Sequence, residues 1–189
     1  ITFFTRVPLS KFFLSGTWNP TGSSPEFGIW ALIIGTLKIT IIATIVAVPI
    51  GLGAAIYLNE YASDRSRRII KPILEILAGI PTIVFGFFAL TFVTPILRNL
   101  IPNLGEFNSI SPGIVVGIMI VPMITSMSED AMSSVPDKIR EGAFGLGATK
   151  FEVATKVVLP AATSGVVASI VLGISRAIGE TMIVSLAAG

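Results

Sequence analysis

Arg176 and Glu180 demand explanation first, because they stand inside a segment otherwise apolar enough to lie in lipid. An ionisable side chain in hydrocarbon is costly, so it normally faces a bundle interior or a water-filled path. A guanidinium presents a fork of N–H donors that matches the oxygens of an oxyanion such as phosphate. In a continuous helix Glu180, four residues on, shares a face with Arg176 and can pair with it. Two readings follow. Either an anion passes Arg176 while Glu180 holds the guanidinium and keeps the anion from binding too tightly, or the two form a structural ion pair between subunits. Lys38 lies ~10 residues into an earlier apolar run, in the outer half at the usual helical rise. It either adds a second cation to the same path or snorkels to the outer headgroups.

Other chemistry is scarce. The chain has no His and no Cys, which removes disulfides, thiolate nucleophiles, imidazole bases and metal sites built on those ligands. Glu75, Glu129 and Asp130 fall near the ends of apolar runs, where solvation is the ordinary reading, and Ser126 and Ser128 have no base beside them. An intramembrane enzyme using Glu75 or the Glu129 and Asp130 pair on lipid is the alternative from another class. A purely structural membrane anchor would not need Arg176. The chain has no GxxxxGK[ST] phosphate loop, so nucleotide chemistry is not expected in it. A net charge of +2 without a massed basic segment gives no reason to expect nucleic acid.

The elements that must position these residues are membrane spans. Of 189 residues 52% are hydrophobic and 13% charged, against about 25% charged in soluble domains. The mean hydropathy is +0.87. A bilayer core needs ~20 apolar residues in a helix, and four runs qualify, at about 27–58, 73–97, 110–127 and 157–189. The expected fold is an all-α transmembrane, polytopic helical bundle occupying residues 28–189. Residues 1–27 are expected to be an external flank, with the turn-rich stretch 16–26 as a loop. Pro49, Pro81 and Pro122 fall inside the first three runs, where neighbouring helices can satisfy the freed carbonyls. The chain opens on Ile and reads as mid-protein sequence, so a fragment or a processed chain is expected.

Positive charge orients the bundle. Arg65, Arg67, Arg68, Lys71, Lys138, Arg140, Lys150 and Lys156 lie in two links, against Arg6, Lys11 and Arg98 on the opposite side. The asymmetry places the basic links in the cytoplasm, in a multi-pass protein of the cytoplasmic membrane.

The second basic link, 131–156, carries a charged stretch, "EGAFGLGATKFEVATKVVLPA". Ser134 with Asp137 fits a capping box with Pro136 in the first turn. Ile139, Ala143 and Leu146 form an apolar stripe at helical spacing. Gly145 and Gly147 end that helix or let another chain come close. Thr149 with Glu152 repeats the cap signature and starts a second helix. Periodicity alone leaves two readings, an interfacial connector or a docking element for another protein.

The spacing Glu141-Gly142-Ala143, three residues, Gly147, nine residues, Val157, one residue, Leu159-Pro160 resembles the cytoplasmic loop signature of ABC importer permeases of the MetI-like type. Gly142 for Ala and Val157 for Ile are mild departures. "AVPIGLGAAIYLNEYA", "ILAGIPTIVFGF" and "SRAIGETMIV" together resemble the phosphate-specific permeases, the last more like the C-type subunit than the A-type. The resemblance implies that the loop is a coupling helix, with Glu141, Gly142, Ala143, Gly147, Leu159 and Pro160 as its docking signature for an ATP-hydrolysing subunit. It implies inward phosphate transport, with Arg176, Glu180 and Lys38 as path candidates. ATP and Mg2+ would be used by a partner dimer, and this chain would bind no cofactor. A second, A-type permease subunit or a second copy, and an external phosphate-binding protein, would complete the assembly. Permeases of this kind usually have about six spans, so one further span at each end is expected. Sulfate, molybdate or another solute is the competing substrate.

Overall fold

The computed structural model describes residues 9–19 and 26–188. Helix α1 (Leu9–Leu14) is followed by a two-residue hairpin, β1 (Trp18–Asn19) and β2 (Glu26–Phe27), with Trp18 opposite Phe27. The expected external loop at 16–26 is therefore partly this hairpin; residues 20–25, and Arg6, lie outside the described residues.

Helix α2 (Ile29–Ile56) continues through a wider π turn, Tyr57–Tyr61, and the whole is long and apolar enough to cross a membrane. Pro49 lies inside it without breaking it. Helix α6 (Ile110–Ser133) is the second such span and likewise contains Pro122. The two run parallel at a fixed offset. Thr125 Oγ1 donates to the Gly51 carbonyl at 3.2 Å, and Asn59 Nδ2 donates to Ser133 Oγ at 2.9 Å, each pair 74 residues apart. Small residues make this approach possible: a Cβ on Gly117 would stand 2.9 Å from the Ala43 carbonyl oxygen, and one on Gly113 2.8 Å from Ile42. Close backbone approach of this kind is how helices associate where lipid offers no hydrophobic drive. Buried Ile39, Ala43, Ala47, Val116, Ile120 and Ile124 fill the seam.

The run expected at 73–97 is two helices. Helix α3 (Asp64–Ala78) ends at Gly79, and α4 (Thr82–Phe88) begins after Pro81, continuing through a π turn, Ala89–Val93, into α5 (Thr94–Leu100). Pro81 therefore ends a helix here instead of lying within one, because the residue before a proline is pushed out of the helical region. Helix α3 is amphipathic, and Ser66, Arg67, Ile70, Lys71 and Leu74 form its half-buried face. Lys71 meets Glu129 and Thr94 meets Ser111, so α3 to α5 run antiparallel to α6, rising from its basic end. Only Thr82–Leu100 is apolar enough to count as the span itself.

The last expected span, 157–189, is also broken. Lys150–Ala161 meets α10 (Thr163–Ile178) at a bend of 75°, and α10 stops before Gly179, with a final short helix α11 (Met182–Ala187) beyond. Helix α10 lies antiparallel to α6: Gly165 faces Ala131, Gly173 faces Ile124, and the buried hydroxyls of Ser128 and Ser169 share a hydrogen bond of 2.7 Å. The bundle is thus all-α, with three or four spans among the described residues.

The seam predicts its own weak point. Gly117→Val pushes a branched side chain against the α2 backbone, and overpacking of this kind costs about 1–3 kcal/mol. Thermal unfolding in detergent should show a Tm lowered by several degrees, whereas Gly35→Ala, whose added carbon meets nothing within 4 Å, should leave it unchanged.

Candidate functional site

Two features bear on the expected chemistry, the helix-turn-helix element after α6, expected to dock a partner, and a cavity beside α6. The element begins with α7 (Asp137–Gly145), whose Pro136 precedes it without a side-chain cap. Ser134 does not cap it; its Oγ donates back to the Ala131 carbonyl at 2.7 Å, because the turn after α6 points the hydroxyl at its own helix. Helix α7 ends in a glycine turn. Ala148 N–H donates to the Ala143 carbonyl at 3.1 Å and Gly147 N–H to Phe144 at 2.9 Å, with Gly147 at φ +88°. This pair of bonds is a Schellman cap, whose left-handed residue favours glycine. Thr149 then forms the expected capping box with Glu152, so α8 (Lys150–Glu152) starts at once and runs through a π turn, Val153–Val158, into α9 (Leu159–Ala161).

One apolar patch fastens this element to the bundle: Val135, Val153, Val158 and Ala162 bury against Ala55 and Met132, with Ala143 and Ala148 at the edge. The rest of the stripe faces out, with Ile139 47% and Leu146 91% exposed, and Phe144 beside it is 42% exposed. Glu141, Gly142 and Gly147 are exposed beside them, and Leu159 and Pro160 lie past the turn. A Cβ on Gly142 would meet nothing within 4 Å, so this chain's own packing does not explain the missing side chain there.

A polar clamp that local spacing does not reveal fixes the element to two spans. Arg140 pairs with Glu60, donates from Nη1 to Asn59 Oδ1 at 3.1 Å, and from Nη2 to the Met132 carbonyl at 2.6 Å. Both side chains of the ion pair are largely buried, Arg140 at 14% and Glu60 at 6% exposure. Arg67 of α3 adds to the same corner, its Nε donating to the Leu58 carbonyl at 2.8 Å and Nη2 to Asn59 at 3.1 Å. These are carbonyls left over at the end of α2, which cations commonly satisfy.

Arg176, itself exposed, lines a cavity of about 320 Å3, with Pro122, Met123 and Ser126 beside it and Lys71, Glu75 and Glu129 nearer the basic end. Gly173 against Ile124 and Gly165 against Ala131 put Arg176 level with about Pro122, close to the middle of α6. Glu129 departs from the solvated reading: it is 1% exposed, with Lys71 Nζ 2.6 Å and Arg67 Nη2 3.7 Å away. Asp130 and Glu75 are exposed as expected.

Glu180 does not pair with Arg176. The helix ends at Ile178, which breaks the four-residue register, and Glu180 Oε1 accepts from the backbone N–H groups of Met182 at 3.2 Å and Ile183 at 3.4 Å. It therefore caps α11 and lines a separate cavity of about 290 Å3 with Thr36 and Ile39. Lys38, next to Ile39, lies on the exposed face of α2 and lines neither cavity. Of the three path candidates, only Arg176 lines the cavity that also holds Lys71, Glu75 and Glu129. The long-range partners Glu60, Arg67 and Lys71 were not visible in sequence spacing; the sole hint was an Asn-Glu pair closing the first apolar run.

Comparison with known proteins agrees with this architecture. Residues 47–189 match the family model "Binding-protein-dependent transport system inner membrane component". The "Probable ABC transporter permease protein YqgH" of Bacillus subtilis is 39% identical over 180 residues, covering 95% of this chain and 58% of that protein. The "Phosphate transport system permease protein PstC" of Haemophilus influenzae is 37% identical over 198 residues, covering 95% and 62%. The chain thus spans about three-fifths of the length of the curated relatives it matches. The inward-facing structure of the MetNI methionine ABC transporter superposes with a TM-score of 0.70 at 22% identity, over 80% of this chain and 71% of that one, which establishes the fold.

The clamp makes a direct prediction. Arg140→Met leaves Glu60 buried without its cation, a loss of about 3 kcal/mol or more. The thermal midpoint in detergent should fall clearly, and Arg140→Met with Glu60→Met should recover most of it. A double variant as unstable as the single one would show that the ion pair is not what holds α7 in place.

Proposed function

The chain belongs to the family of binding-protein-dependent transport system inner membrane components, membrane-embedded permeases rather than enzymes, and from that premise we propose that it is a permease subunit of an ABC importer carrying inorganic phosphate into the cell. The observation that carries the proposal is a guanidinium without an ion-pair partner among the described residues, Arg176, lining a cavity that extends to Lys71 and Glu129 at the end of α6 next to the exposed element. A fork of charged donors at mid-membrane suits a tetrahedral oxyanion. Relatives that bear the name of phosphate permeases, at 35–38% identity, support phosphate over sulfate or molybdate.

In this proposal the basic end lies in the cytoplasm and the protein in the cytoplasmic membrane. A dimer of ATP-binding subunits, which uses ATP and Mg2+, grips the face formed by Ile139, Glu141, Gly142, Phe144 and Leu146. When that dimer closes, α7 moves as a rigid lever, because the Gly147 turn, the Thr149 capping box and the Arg140 clamp leave it little freedom. The motion reaches the ends of α2 and α6 directly, a rigid-body shift of packed spans. A second permease subunit, A-type or a further copy, closes the cavity from its open side, and an external phosphate-binding protein delivers the ion.

Two substitutions test the proposal in a strain lacking its own phosphate permease. Arg176→Gln should assemble with its partners yet lower radiolabelled phosphate uptake at least about tenfold, the worth of a charge-assisted hydrogen bond. Gly147→Asp should insert normally but abolish uptake and uncouple the partner's ATP hydrolysis. Restored sulfate uptake with a flat phosphate signal from the unaltered chain would overturn the substrate assignment.

A further inference from the structure

We infer that Lys71 is a second cationic station on the oxyanion path, receiving the anion at the basic-end mouth of the cavity that Arg176 also lines; this rests on the phosphate-permease reading above. Both cations line the same cavity. Arg176 is level with about Pro122 and Lys71 with Glu129, so the stations are separated by about 10 Å along the span at the helical rise. An ion held at one site tightly enough to enter leaves more readily when a second site lies within reach.

The chemistry of the mouth calls for such a cation. An anion leaving Arg176 toward the basic end passes Glu75 and then the buried Glu129, and carboxylates repel it. Lys71 is a cation of the same cavity that can offset them. Its Nζ lies 2.6 Å from Glu129 Oε2 and 4.0 Å from Asp130 Oδ1, ion pairs that it exchanges for the anion when it turns. Lys71 is 42% exposed on a flexible stem, a compact point charge that can turn.

Arg67 is built for the opposite role. Two hydrogen bonds to the Leu58 and Asn59 carbonyls fix its guanidinium, which stays 3.7 Å from Glu129 Oε1. Ser133 Oγ also donates to Glu129 at 3.4 Å. When Lys71 turns to the anion, Glu129 Oε1 keeps Arg67 and Ser133, so the buried carboxylate retains a neighbouring cation. A pair meant only to fasten α3 to α6 would not need the second cation.

The test separates carrying the anion from fastening α3. The full transporter is reconstituted in vesicles with the unaltered chain, with Lys71→Gln, and with Lys71→Gln combined with Glu129→Gln, which removes both charges of the pair. Assembly is followed by co-purification of the ATP-binding subunits, and phosphate uptake by radiolabel. The inference predicts that both variants assemble and that both lose maximal uptake by about tenfold. Uptake restored to normal in the double variant would overturn it, since Lys71 would then serve Glu129 alone. A second measurement needs no substitution: labelling of Lys71 in the intact transporter by an amine-reactive reagent, read by mass spectrometry. Phosphate should slow it several-fold relative to chloride, and equal labelling would overturn the inference. Uptake by the unaltered transporter is the separate control: its absence would remove the phosphate reading, and this inference with it.

Discussion

One guanidinium holds the working parts of this protein in register. Arg140 projects from the short helix α7 into the corner where α2 and α6 end, and meets Glu60, Asn59 and the Met132 carbonyl there. All three partners belong to spans, so α7 cannot shift without either carrying the ends of α2 and α6 or breaking a largely buried ion pair. Breaking such a pair strands a charge in a poorly hydrated place, which is costly. Moving the spans together is cheaper, because their parallel seam is close-packed and locked by Thr125 on Gly51 and Asn59 on Ser133. The rigidity of α7 and that of the seam are therefore one property.

The same physics divides the charges of the bundle by task. Charges that hold structure have several partners: Arg140 with Glu60, and Arg67 on the α2 carbonyls. Arg176 has no ion-pair partner among the described residues and faces a cavity. Glu180 shows how easily the two classes are confused. Its spacing to Arg176 suits a pair, but the helix ends between them and the carboxylate satisfies the first N–H groups of α11 instead. A helix start in an apolar setting has to find acceptors, and a nearby carboxylate is an effective one.

How much of this the sequence showed depended on the range of the interaction. Apolar runs marked the spans near 27–58 and 110–127, and the structure has Ile29–Tyr61 and Ile110–Ser133. The glycine turn and the Thr149 capping box were legible because each is decided within five residues. The break at Pro81 was misread because Pro49 and Pro122, in equally apolar surroundings, are tolerated inside helices; a glycine two residues before Pro81 makes the difference. Glu129 looked solvated because its cover, α3, is distant in sequence and arrives through the Arg67 and Lys71 pairing. The Arg140 clamp joins residues 80 apart, and no local pattern encodes it.

The exposed face of α7, the clamp, the seam and the cavity thus form a continuous physical chain from an exposed surface to Arg176, level with the middle of α6. The central claim is that α7 and α2 move as one body. Because the chain has no Cys, spin labels can be placed at Lys138→Cys on α7 and Ile45→Cys on the exposed face of α2 in the assembled transporter. Their separation can then be measured by pulsed electron resonance without nucleotide and with ATP trapped. The account predicts the same distance distribution in both states, with motion appearing only between this chain and its partners. A distance that changes with nucleotide would mean that α7 moves independently of the spans, and would contradict the claim.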